Sequence, residues 1–311
     1  MSLRKLVKLF LIFVVSAPAL AFAAVKMAVT VDDLPVHGKL PPGISRLEIA
    51  KSMLATLQAN HVPEVYGFIN AGKIGHDKEL TEILKLWVRS GYPLGNHTFS
   101  HKDLSKNSAQ DFNKEIAANE LALKTIGDNF DWRYFRYPFL HEGDSLEKRN
   151  AVRAYLKANK YKIAFVTDEF EDWAWNDPYA RCKTKNDQNS ILRLTESYTK
   201  AASDRFLLDG EVLNAIYHRP VARILLLHIG AFDAQMLPII LKMYKEKGVE
   251  FIPLSQAIKD SIYDEDLGIA RDGGGDFEYN AMKAKGLTTT ALGLGPAWEF
   301  PGKQLSQVCT D

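Results

Sequence analysis

Strand-like and helix-like patterns alternate about seven times between Lys26 and Asp260, and this alternation restricts the fold more than any other feature. Lys26 to Val31, Glu64 to Asn70, Tyr92 to Gly95, Tyr134 to Tyr137, Tyr161 to Val166, Arg223 to His228 and Val249 to Pro253 read as strands. Between them, Leu47 to Asn60, Lys78 to Ser90, Ser108 to Ile126, Leu146 to Asn159, Ser190 to Ala215 and Ala234 to Lys247 read as helices, and Ser255 to Asp260 as a short last one. Arg223-Ile224-Leu225-Leu226-Leu227-His228 is apolar without a polar alternation, as in a strand buried on both faces of a parallel sheet. The repeat predicts a parallel α/β architecture, open sheet or barrel.

In such folds, chemistry collects at the C-terminal ends of the strands. Five predicted strand ends carry chemically active side chains: Asp32 and Asp33, His97 and His101, Arg136, Asp172, and His228. Singly, each has a plain structural reading: Arg136 as a surface ion pair, Asp172 as a helix cap, His228 as a hydrogen-bonded core histidine. Five together point to a functional site. Adjacent carboxylates such as Asp32 and Asp33 are costly unless a cation or a proton relieves them.

His97 and His101 are four residues apart. Along a strand that spacing separates them by ~13 Å, too far to share an ion. On a helical turn it brings their Cβ atoms to ~5–6 Å. A shared metal therefore predicts that the chain turns helical just after Gly95-Asn96.

The N-terminus reads as an export signal. Arg4, Lys5 and Lys8 precede an apolar run, Leu9 to Ala19, and Ala21-Phe22-Ala23 forms an A-x-A cleavage pattern. Cleavage after residue 23 leaves 36 basic residues (39 less three) against 38 acidic ones, a formal charge of −2. That balance gives no footprint for nucleic acid and suits an uncharged substrate. No stable membrane partner is expected once the signal is removed. Cys182 and Cys309, the two cysteines of the chain, can pair in an oxidising compartment or stay as two buried thiols. Residues 261–311 have no clear period but contain Trp298 and Phe300, more aromatic surface than a free tail carries. We expect the tail to pack on the domain, tied down by a Cys182–Cys309 bridge with a Cα–Cα distance of ~4.4–6.8 Å.

Thr30-Val31-Asp32-Asp33, His97-Thr98-Phe99-Ser100-His101, Arg136-Tyr137-Pro138-Phe139, Asp172-Trp173 and Leu227-His228 follow one another in the order of five motifs. This set resembles the polysaccharide deacetylases, the NodB-homology domain of carbohydrate esterase family 4, over roughly residues 25–260. The resemblance implies a distorted (β/α)7 barrel over 24–260, after a signal peptide at 1–23 and before a C-terminal extension at 261–311. It implies a divalent metal, Zn²⁺ or Co²⁺ or another first-row ion, on Asp33, His97 and His101. It implies Asp32 as general base held by Arg136, and His228 as general acid oriented by Asp172. It places the Phe139 N–H at the oxyanion position and Trp173 in the groove wall. The implied reaction removes N-acetyl groups from a GlcNAc-containing glycan, peptidoglycan or chitin-type, in the periplasm or outside the cell.

Three departures stand out. Leu140-His141-Glu142 intervene before Gly143, where the family has glycine directly after the aromatic residue. One extra residue separates Asp168 from Asp172, which leaves Asp168 as the alternative orienting carboxylate. Residues 174–222 are longer than a minimal domain needs. Two other readings keep the scaffold: an O-acetyl esterase, and a catalytically silent glycan-binding protein.

Overall fold

The computed structural model describes residues 24–127, 129–296 and 298–310. The expected signal segment, residues 1–23, lies outside them. Seven strands form one parallel sheet: β1 (Val25–Leu34), β2 (Tyr66–Ile69), β3 (Leu94–Asn96), β4 (Tyr134–Phe135), β5 (Lys162–Ile163), β6 (Arg223–His228) and β7 (Val249–Phe251). The helices are α1 (Arg46–Ala59), α2 (Lys78–Arg89), α3 (Ala109–Ile126), α4 (Leu146–Ala158), α5 (Asn176–Lys185), α6 (Gln188–Tyr217), α7 (Ala231–Glu246), α8 (Leu254–Ala257), α9 (Phe277–Ala284) and α10 (Gly302–Gln307). Strand order is β5-β4-β3-β2-β1-β6, with β7 beside the first residues of β1. A single bridge between Asp168 and Leu225 joins the segment after β5 to β6. The sheet thus curls into a distorted barrel, one of the two forms the strand repeat allows and the one the resemblance implies.

Both faces of the sheet are covered, which explains the unbroken apolar runs. Met27, Val29 and Val31 of β1 enter the core beneath the helices, whereas Ala28 faces an inner cluster with Tyr66, Phe68, Tyr134 and Ile224. Helix starts follow local chemistry. Ser45 and Glu48 form a capping box on α1, and Asp77, Ser108 and Ser145 accept hydrogen bonds from the first turns of α2, α3 and α4. Leu80, Ile83, Leu84 and Trp87 line the buried face of α2 at helical spacing.

The structure differs from the sequence expectation after residue 174. The helix expected at Ser190–Ala215 is longer, and α5 precedes it. Asn186, at φ 56°, ends α5 in the left-handed region that asparagine tolerates, and Asp187 caps α6. The C-terminal stretch contains two helices of eight and six residues, too short to show a period. Cys182 and Cys309 are disulfide-bonded, with Cα atoms 5.2 Å apart. Arg181 donates to the carbonyls of Leu305, Ser306 and Val308, so the chain end sits on α5. Among the described residues no helix is long and apolar enough to cross a membrane.

Candidate active site

Strand register assembles the site. Asp32 pairs with His228 across β1 and β6, and Asn96 pairs with Phe135 across β3 and β4. The residues next along the chain, His97 and Arg136, are therefore neighbours. Asp32, His97 and His228 line one cleft of ≈ 600 Å³, with Arg136 buried against Asp32.

In a regular strand, adjacent side chains point to opposite faces. Asp32 and Asp33 nevertheless both line the cleft. Asp33 has φ 69°, and the β1–β2 register shifts between Val31 and Leu34. This bulge-like irregularity turns the second carboxylate to the same side as the first. Aspartate pays a smaller steric cost than most residues in that conformation.

The helical turn expected after Asn96 is absent. Residues 97–103 form no helix and bend at Phe99 and Ser100, with Thr98 at φ 64° and His101 at φ 56°. Two left-handed residues fold the segment back, and the two imidazole rings still lie 4.9 Å apart. Buried amides hold the turn. Asn70 Nδ2 donates to the carbonyls of His97 and Thr98, and Asn96 Oδ1 accepts from Thr98 N–H and from Asn119 Nδ2. Asn96 Nδ2 donates to the Ile116 carbonyl and the Tyr161 hydroxyl.

Asp33, His97 and His101 offer three ligand atoms within 4.8 Å of one another. Asp33 Oδ1 lies 3.8 Å from His97 Nε2 and 3.4 Å from His101 Nε2, and it accepts no hydrogen bond although buried. His97 Nδ1 is bonded to the Arg136 carbonyl at 2.8 Å, so it carries the proton and leaves the Nε2 lone pair towards Asp33. One carboxylate and two imidazoles suit a first-row divalent ion, and three protein ligands are the donor number of catalytic rather than structural zinc sites. The residues fit such an ion. Burial opposes ionisation of Asp33, but Lys73, His101 and His97 outweigh it and hold its pKa below the usual carboxylate range. Lys73 Nζ lies 3.1 Å from Asp33 Oδ1.

Arg136 is buried against Asp32, its Nη1 3.2 Å from Oδ2 and its Nη2 3.1 Å from Thr30 Oγ1. Burial pushes the Asp32 pKa up to about 6, with Arg136 and His228 opposing the rise. Asp172 Oδ1 meets His228 Nδ1 at 2.7 Å, and Asp172 Oδ2 accepts from the His228 backbone N–H. Burial alone would lower the His228 pKa; the Asp172 charge and hydrogen bond, with Asp33 and Asp32, raise it to about 9. Asp168, the alternative orienting carboxylate, instead forms a buried ion pair with Arg223. Glu171, at φ 58°, stands just before the short 3-10 turn Asp172–Trp175.

Phe139 (φ 58°) and Leu140 (φ 55°) are both left-handed, and Phe139 exposes its ring 4.5 Å from His101. Trp173 is 42% exposed in the cleft wall, its ring 6.1 Å from Phe300. Sequence reasoning missed His37, whose Nε2 is 3.7 Å from Asp33 Oδ2 and whose ring is 5.0 Å from that of His228. Its position four residues past Asp33 was the available signal. Also missed was His141, in the inserted segment, with Nδ1 2.8 Å from Asp103 Oδ1. Gly274 reaches the cleft from the C-terminal stretch. A Cβ there would stand 2.0 Å from the Phe139 carbonyl, so the close approach requires glycine.

Residues 22–164 match the family model for polysaccharide deacetylase. Asp172, Trp173 and His228 lie beyond that match. Over 88 residues the chain is 31% identical to a chitin deacetylase of Arthroderma benhamiae, a match that takes in 28% of this chain and 24% of that protein. The chain thus spans about a quarter of that relative's length. Among solved structures it is similar to a mutant, with restored enzymatic activity, of a CE4 family pseudoenzyme of Bacillus anthracis (16% identity, TM-score 0.53, 76% of this chain and 68% of that one). It is also similar to a mutant of the peptidoglycan deacetylase PdaC of Bacillus subtilis (17% identity, TM-score 0.51, 75% of this chain and 90% of that one). At these identities the solved structures speak for the fold alone, and the family match identifies residues 22–164, just under half of the chain, as a polysaccharide deacetylase domain.

Proposed function

We propose that the protein is a metal-dependent hydrolase that removes N-acetyl groups from a GlcNAc-containing glycan, of peptidoglycan or chitin type, and releases acetate. The observation that carries this reading is the meeting, in one cleft, of a three-ligand group with two oriented proton-transfer residues. A fold shared with a pseudoenzyme does not by itself supply activity.

Asp33, His97 and His101 would hold a zinc-class ion, which would supply Lewis acidity towards water and the acyl oxygen. The rest falls to the chain. Asp32, held by Arg136, takes a proton from the water that attacks the acyl carbon. The Phe139 N–H donates to the acyl oxygen as it gains charge. His228, protonated on both ring nitrogens and held by Asp172, gives its Nε2 proton to the nitrogen as the C–N bond breaks. The products are acetate and a free amine on the sugar. Trp173 offers the sugar a flat apolar wall.

We also propose export, resting on the pattern in residues 1–23, and a division into a catalytic domain at 24–260 and an extension at 261–311. The Cys182–Cys309 bond and the packing of Trp298 and Phe300 against the main core support that division. Mass spectrometry of peptidoglycan and of chitin oligomers, after incubation with zinc-loaded protein, tests the function. A loss of acetyl mass from amide positions on one of them supports it. Acetate release from O-acetylated glycan alone would replace it with the esterase reading. Binding without any acetate release would leave a silent glycan-binding protein.

A further inference from the structure

A second group of carboxylates lies behind the cleft wall. Asp209 of α6, Asp276 at the start of α9 and Glu278 within it are 1%, 4% and 2% exposed. Each offers an oxygen, and these atoms lie within 4.8 Å of one another. The cation in contact with all three is Arg205, with Nη2 3.1 Å from Asp209 Oδ1, 3.5 Å from Glu278 Oε1, and paired with Asp276 Oδ2. Arg223, the other nearby guanidinium, is engaged by Asp168. Three ionised carboxylates against one guanidinium leave a formal charge of −2.

The hydrogen-bond inventory points the same way. Among the described residues no N–H group donates to either oxygen of Glu278 or to Asp209 Oδ2, and Glu278 meets the Asp276 carboxyl within hydrogen-bond reach. An unsatisfied carboxylate at this burial costs several kcal/mol unless a proton or a cation relieves it, about 1–3 for each missing partner and more for a charge. A cavity of ≈ 260 Å³ opens beside the group, lined by Asp209, Asp276, Glu278, Thr289 and Trp298 among others. It has room for the waters that complete a coordination shell of 6–8 oxygens.

We propose that Asp209, Asp276 and Glu278 form a second cation site, which takes a hard divalent ion of the calcium or magnesium class. The donors are all oxygens, unlike the mixed set at Asp33, His97 and His101, so the two sites select different ions. One divalent ion balances the formal charge. It also fastens the C-terminal stretch to α6, directly after Gly274 and Gly275, which line the cleft. Burial pushes the carboxyls of Asp209 and Glu278 well up, and Asp276 adds to the rise at both.

The test is calorimetric titration of the full exported chain, its zinc site saturated, with calcium chloride and separately with magnesium chloride. We expect one equivalent to bind with a Kd of about 10⁻⁵–10⁻³ M. At a hundredfold excess over Kd, the thermal midpoint should rise by about 5 °C. Glu278→Gln should weaken binding at least about tenfold, since it removes one of three anionic ligands, while zinc content stays unchanged. An Asp33→Ala/His97→Ala variant should still take up calcium, which separates this site from the proposed catalytic one. Absence of saturable heat and of any midpoint shift for both ions in the wild-type protein, up to about ten times the weakest expected Kd, would overturn the proposal. So would calcium uptake that disappears with Asp33 and His97. Either result leaves shared protons as the relief of the group.

Discussion

Asp32 and His228 face each other across paired strands and carry opposite proton tasks in our account. Asp32→Asn should leave the metal bound and lower turnover by about two to four orders of magnitude, the scale of lost general acid–base catalysis. His228→Ala should do the same; wild-type turnover in either variant would remove it from the reaction. The orienting carboxylate can be tested without substrate. In metal-free protein the His228 pKa is about 9, against 6.5 for a free imidazole. A folded value raised in this way stabilises the protein fully below pH 6.5, and that contribution is lost as pH rises through 9. NMR titration of the imidazole should show this, and Asp172→Asn should move the midpoint down. Asp168→Asn should instead destabilise the fold by about 3–5 kcal/mol, because it leaves Arg223 buried without its charge partner. The opposite pattern would exchange the two aspartates' roles. The identities of these residues were legible in their order along the chain. Their conformations were not, because Asp33, Thr98, His101 and Phe139 adopt left-handed backbone that tertiary contacts impose.

At the scale of elements, the strands and longer helices follow from apolar spacing and caps. The turn that brings His97 to His101 does not. Its geometry depends on Asn70, Asn96 and Asn119, which come from three separate segments and have no local signature. Asn96 is the hub, since its amide makes four buried hydrogen bonds. We expect Asn96→Ala to weaken zinc binding by about 10–100-fold, as loss of an outer support does. Competition with a chromogenic chelator measures this. Unchanged affinity would mean that the turn is held by other contacts. Helices α5, α9 and α10 escaped sequence reading because none exceeds ten residues, too few for periodicity to stand out.

The whole molecule is a curled sheet that presents its strand ends to one cleft, with a C-terminal stretch bonded back onto α5. The Cys182–Cys309 bond closes a loop with a sequence separation of 127. Chain entropy assigns such a closure ~4–5 kcal/mol. Replacing both cysteines by serine should lower the denaturant midpoint accordingly and expose the C-terminal stretch to protease. An unchanged midpoint would show that packing around Phe300 suffices without the bond. The most direct measurement of the central claim follows acetate release from an N-acetylglucosamine oligomer while zinc is added to chelator-treated protein. Release should be negligible at the start, rise to saturation at about one ion per chain, and show no recovery in the His97→Ala/His101→Ala variant. Full release by metal-free protein, or full zinc occupancy in that double variant, would contradict the claim.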